Sequence, residues 1–153
     1  ADAIILCTGY LHHFPFLDES LKLKDHVALV LDIHHHWIRD EEYIEATDDR
    51  VKRVIDSWRG QRPTMHYSYS RDEHLAVANL GDKTHTEMHD IKMLLERGCK
   101  KQKLRAHSDL LPNRAVNDWA LSFGENFDIQ TEAKGKNIAA EQLYRQHLEN
   151  TVQ

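Results

Sequence analysis

The sequence predicts an α/β protein, on three observations. Its apolar runs are short and rich in β-branched residues. They alternate with longer segments whose apolar residues recur at helical spacing. The polar residues that follow the apolar runs are repeatedly histidines or carboxylates. At 153 residues the chain is long enough for one domain core, and its balance of apolar and charged residues is that of a soluble globular protein rather than a disordered one.

Taken in order, "AIILCT" (3 to 8) and "HVALVLDI" (26 to 33) read as buried parallel strands, because they lack the polar alternation of a half-exposed sheet. "TDDRVKRVIDSW" reads as a helix with Thr47 as its N-cap and Val51, Val54, Ile55 and Trp58 on one face. "RPTMHY" (62 to 67) is a third strand, and Ser68 to Lys83 reads as a long polar loop. A helix is expected from about Thr86, with Met88, Ile91, Leu94 and Leu95 inward and Gly98 at its end. "KLRAH" (103 to 107) is a weak strand, "NRAVNDWALSF" a short helix, "FDIQTE" (127 to 132) a strand and "KNIAAEQLYRQHLEN" a last helix. There is no internal repeat or low-complexity tract.

Several function classes lose support from composition. A formal net charge of −5 provides no global basic field, so a nucleic acid would have to be held by a local patch or through bound cations. Two cysteines, Cys7 and Cys99, make no disulfide framework and have no zinc-finger spacing, which fits a reducing, cytoplasmic setting. The apolar run Val27 to Leu31 is far too short to span a membrane, and no signal peptide is visible. A first residue that is Ala1 rather than methionine leads us to expect a piece of something longer.

Twelve histidines are many for this length, and their placement matters more than their number. In parallel α/β folds the carboxyl ends of strands collect ligands and catalytic groups. After the second strand come Asp32 and His34, His35 and His36; after the third, His66; near the weak strand, His107 and Asp109; after the last, Glu132. Imidazole nitrogens mixed with carboxylate oxygens are the ligands that Zn²⁺, Mn²⁺ and Fe²⁺ take. Each residue alone has a plainer account: a solvated histidine cluster, a hydrogen-bonded core His66, a turn cap at His107, a surface ion pair between Glu132 and Lys134 or Lys136. Their shared position at successive strand ends favours one multinuclear hydrolytic site. His12, His13, His26, His74, His85, His89 and His147 lack that pattern and read as surface or packing residues.

From about Asp25 onward the motifs "LVLDIHHHW", "RPTMHYSYS", "KLRAHSD" and "FDIQTEAKGKNIA" resemble the carboxyl-terminal part of the UV damage endonuclease family, TIM-barrel enzymes related to endonuclease IV. The resemblance implies a partial (β/α)8 TIM barrel over residues 25–153, with the first segment adding an extra amino-terminal strand. It implies that Asp32, His35, His66, His107 and Glu132 are metal ligands, that the metal is Mn or Zn, and that the partner is DNA. Asp109 or His34 would orient the imidazoles, and Lys134, Lys136 and Arg105 would lie near phosphates. Two departures stand out: Thr64 occupies a position where the family can carry a modified lysine, and the interval from His66 to His107 is longer than in the repair enzymes.

Residues 1–24, "ADAIILCTGYLHHFPFLDESLKLK", resemble instead a segment of flavin-containing monooxygenases, without any G-x-G-x-x-G fingerprint that would build a flavin site. The expected function is metal-dependent hydrolysis of DNA phosphodiester bonds, in repair of UV damage. The competing expectations are a metal-dependent sugar isomerase on a similar barrel, and an inactive fragment fused to a piece of a flavin monooxygenase.

Overall fold

The computed structural model describes residues 6–7, 27–78, 81 and 85–152. Three four-residue strands form a parallel sheet: β2 (Leu29–Asp32), β3 (Thr64–Tyr67) and β4 (Asp128–Thr131), with the two-residue β1 (Leu6–Cys7) beside β2. The order is β1-β2-β3-β4, with Leu31 opposite Met65, Asp32 opposite His66 and His66 opposite Gln130. Among the described residues the sheet is open, with β1 and β4 at its edges. Most of the expected "AIILCT" strand, the Gly9 turn and His12, His13 and His26 lie outside the described residues.

Among the described residues, six helices connect and cover the strands: α1 (Ile33–Asp40), α2 (Asp49–Ser57), α3 (Arg71–Val77), α4 (Ile91–Glu96), α5 (Arg114–Leu121) and α6 (Asn137–Thr151). The main core joins Leu31, Met65 and Tyr67 of the sheet to Val51 and Val54 of α2, Val116 and Ala120 of α5, and Leu143 of α6. A second cluster gathers Trp37, Ile38, Val77, Ile91, Leu94 and Leu104 under α1, α3 and α4. One polar hub ties the layers: the fully buried Tyr67 hydroxyl donates to Asn117 Oδ1 at 2.6 Å, and Asn117 Nδ2 donates to the Leu111 carbonyl and to Gln146 Oε1, both at 2.9 Å.

Several boundaries differ from the sequence expectation, each for a local reason. The second strand stops at Asp32 instead of Ile33, because the Asp32 carboxylate accepts the His35 backbone N–H at 2.9 Å and so caps α1, a helix the sequence reading did not contain. Helix α2 is capped by Asp48 rather than Thr47, its carboxylate accepting from Arg50 N at 2.8 Å. The helix expected from Thr86 begins at Ile91 behind the Asp90 cap, which leaves Met88 outside it and 45% exposed; within the helix Ile91 and Leu94 are buried and Leu95 is 37% exposed rather than inward. Gly98 does end it, at φ +91°. The polar stretch read as a loop contains α3, capped by Ser70. "KLRAH" is not a strand: Lys103–Arg105 form a 3-10 turn, and only His107 bridges, antiparallel, to Ser70.

Candidate metal centre

Side chains alternate across a strand, so residues of matching parity in registered strands share a face. Met65 and Tyr67 point into the core and are fully buried, which sends His66 to the other face. Asp32 is its registered neighbour on β2. On β4, Gln130 is its neighbour, and Glu132, two residues on, keeps that parity while its backbone N–H donates to the Tyr67 carbonyl at 2.8 Å. The pleat therefore delivers Asp32, His66 and Glu132 to one place, and one donor atom from each lies within 4.8 Å of the others. His66 Nδ1 is 3.1 Å from Glu132 Oε1.

The other two expected ligands arrive from outside the sheet. His35 sits in the first turn of α1, its Nε2 3.9 Å from Asp32 Oδ2. His107 follows the 3-10 turn and is set by backbone bonds on either side, Arg71 N to Ala106 O and Ser108 N to Tyr69 O, both 2.8 Å. Its Nδ1 is 2.7 Å from the Glu132 carbonyl. A carbonyl only accepts, so Nδ1 carries the proton and the Nε2 lone pair is left for a ligand, 4.0 Å from Glu132 Oε2. All five expected residues thus converge on one rim.

His34 belongs to the same neighbourhood but plays another part. A donor atom of His34 lies within 4.8 Å of donors from His35 and His107, yet both its nitrogens are engaged. Nε2 donates to the Leu104 carbonyl at 3.1 Å and Nδ1 accepts from Ser68 Oγ at 2.7 Å, which fixes one neutral tautomer. Burial, reinforced by His35 and His107 nearby, pushes its pKa down to about 3. His34 is thus a positioning residue that locks α1 to the turn before His107. Burial also raises the Asp32 carboxyl above its usual range, the His35 N–H opposing and the Glu132 charge adding to the effect.

The remaining sequence expectations divide. Glu132 makes its ion pair with His66 rather than with Lys134 or Lys136, which are both exposed. Asp109 is exposed and joins none of the potential ligand groups, although its backbone carbonyl accepts from Gly135 N at 2.8 Å. Thr64 shares the face of His66, two residues earlier on β3. Two clusters escaped sequence reasoning. His36, Asp40 and Glu42 form another group of potential ligands, signalled by the i, i+4 spacing of His36 and Asp40 once α1 is known to be a helix. Glu73 and His89 form a buried pair at 2.9 Å, for which the sequence carries no signal.

Parallel strands ending in a mixed imidazole and carboxylate set define an α/β protein with a rim suited to divalent cations. The chain belongs to the UV-endonuclease UvdE family, whose family model matches residues 17–152. A stretch of 29 residues, 19% of this chain, is also 88% identical to a trimethylamine monooxygenase of Pelagibacter sp. (strain HTCC7211), and covers 6% of that protein. A second trimethylamine monooxygenase, from Pelagibacter ubique (strain HTCC1002), is 83% identical over 23 residues, 15% of this chain and 5% of its own length. The similarity to monooxygenases is thus a short segment in both chains. No solved structure matches this one. Among the described residues, no helix is long and apolar enough to cross a membrane.

Proposed function

We propose that this chain is a metal-dependent endonuclease that hydrolyses phosphodiester bonds of UV-damaged DNA, with Asp32, His35, His66, His107 and Glu132 holding the ion or ions. The observation that carries the reading is the meeting of Asp32, His66 and Glu132 on one sheet face, with His35 3.9 Å from Asp32 and His107 4.0 Å from Glu132, supported by the family to which the chain belongs. The donor set fits manganese or zinc: three imidazoles and two carboxylates, with His107 held in the tautomer a ligand needs. A bound divalent ion supplies Lewis-acid stabilisation of a phosphoryl oxygen and a water acidic enough to attack at neutral pH. The protein's own part is to hold the donors apart from the core. Asp32 and Glu132 provide the negative charge, and His34 fixes the helix that presents His35.

The parallel strand order and the helices between strands support reading residues 25–153 as the carboxyl-terminal part of a (β/α)8 barrel, with residues 1–24 a separate monooxygenase-like segment. Elemental analysis of the purified chain, beside a Glu132→Ala/His66→Ala variant, tests the site. Stoichiometric Mn or Zn lost in the variant is expected, and absence of metal from both proteins refutes the ligand assignment. Nicking of UV-irradiated duplex by the loaded protein then tests the activity, and turnover of sugars without nicking would replace it with the isomerase reading.

A further inference from the structure

The segment Arg97 to Arg105 carries five cationic side chains and no acidic one, in a chain whose net charge is −5. We propose that it is a phosphate rail: a surface that holds the sugar–phosphate backbone of duplex DNA alongside the metal rim. The inference rests on the proposed function and adds to it the surface by which the substrate is gripped.

The fold turns this stretch of sequence into a shaped surface. Gly98 breaks α4 with a positive φ, and successive turns follow, closed by Cys99 N to Leu94 O, Lys103 N to Lys100 O and Ala106 N to Lys103 O. They bring Arg97, Lys100 and Lys103 around one shallow cavity of about 430 Å³. All three are exposed, and among the described residues none makes an ion pair with a carboxylate. The carboxylate that lines the cavity, Asp72, lies 3.5 Å from Arg71. Three cations without acidic partners at one concavity leave a positive potential that surface lysines paired along a helix do not.

The rail is rigidly attached to the rim. Leu104, near its carboxyl end, is fully buried, and its carbonyl accepts from His34 Nε2 at 3.1 Å. Lys101 is used as a tie, donating to Glu41 at 2.6 Å and to the Arg39 carbonyl at the end of α1. Lys103 is four residues from His107, a span of at most about 14 Å even for an extended chain. An anion seated on the rail therefore lies within a few nucleotides of a phosphate at the rim. An open row of point charges, without a ring of converging backbone N–H groups, fits a repeating polyanion better than a single small anion.

The test is binding of a fluorescein-labelled 20-base-pair duplex, followed by anisotropy from about 50 to 200 mM salt, where each phosphate contact contributes a slope of about 0.9 in log affinity against log salt. Arg97→Gln/Lys100→Gln/Lys103→Gln should lower the slope by about 2.7, which is about fortyfold less affinity lost across that fourfold salt range. A control that removes the same charge elsewhere, Lys52→Gln/Arg59→Gln/Arg145→Gln, should change the slope by less than about one unit. An unchanged slope in the rail variant, or equal losses in rail variant and control, overturns the rail while leaving cleavage by the wild type intact. Slopes as expected, with bound DNA left uncut by the metal-loaded protein, uphold the rail and remove the proposed cleavage. A wild type that neither binds nor cuts duplex removes both.

Discussion

Replacing Asn117 by leucine should be among the most damaging single changes in the protein, although Asn117 lies outside the metal rim. Its amide takes the Tyr67 hydroxyl on one side and the Leu111 carbonyl and Gln146 on the other. Leucine of similar size keeps the volume and removes every partner. Gln146 keeps two bonds donated by Nε2, to the Arg114 carbonyl and to Asp118, but its Oε1 loses the Asn117 donor, so the groups stranded without water are the Tyr67 hydroxyl, the Leu111 carbonyl and Gln146 Oε1. Each buried orphan costs about 1–3 kcal/mol, giving a loss of about 3–9 kcal/mol. That is a large share of the roughly 5–15 kcal/mol that stabilises a whole domain. Urea unfolding followed by tryptophan fluorescence measures it, Trp119 standing two residues from the change. The mechanism is isolated by Tyr67→Phe. In the wild type that change should destabilise, because Asn117 loses its donor; in the Asn117→Leu background it should cost nothing or stabilise, since the hydroxyl is already stranded. The difference, about 1–3 kcal/mol, is the coupling of the pair. If Tyr67→Phe costs the same in both backgrounds, the hydroxyl is not held by Asn117 and the reasoning fails.

At a hundredfold excess of Mn²⁺ over its dissociation constant the protein should gain about 2.7 kcal/mol, or roughly 5–10 °C in Tm for a chain of this size. Glu132→Gln should abolish that shift, and an equal shift in the variant would place the ion elsewhere. Burial raises the Glu73 carboxyl above its ordinary value of 4.5, with His89 opposing, so its protonated form is the one the fold favours. The corresponding stability is complete below pH 4.5 and is lost as pH rises through the raised value. Tm against pH should therefore show Glu73→Gln gaining on the wild type from pH 4.5 towards neutrality, and parallel curves would refute this. Gly135→Ala would set a Cβ 2.5 Å from the Asp109 carbonyl oxygen and 3.2 Å from Leu110 Cδ2. Overpacking against backbone should cost roughly 1–3 kcal/mol in urea unfolding, and no loss would mean that the turn after Glu132 shifts freely.

The candidate site was more legible in the sequence than the helices around it. Strand ends announce themselves by a change from apolar to polar residues, and the pleat then dictates which polar residues meet; Asp32, His66 and Glu132 needed nothing further. Helix α1 was hidden because its inward face includes His34 and His36, which count as polar in any periodicity yet are buried, His34 through partners 34 and 70 residues distant. Helix α3 was hidden for the same reason: its inward residues are Val77 and the carboxylate Glu73, made tolerable by His89 sixteen residues later. Met88 misled in the opposite sense, an apolar residue at helical spacing that the Asp90 cap leaves outside the helix. Where a polar group is buried through a long-range partner, local pattern and final environment disagree, and only the assembled fold reconciles them.

Asp32 terminates a strand, starts a helix with one carboxylate oxygen, and turns the other toward His35 at the rim. Charge neutralisation at the rim and winding of the first turn of α1 are consequently one event. Protonating Asp32, or drawing its charge away, weakens the bond to the His35 amide and lets that turn fray; fixing the carboxylate tightens it. The amide protons of residues 34 to 36 should thus exchange with solvent at a rate set by what the rim holds. That makes the backbone itself a reporter of occupancy, independent of any reaction.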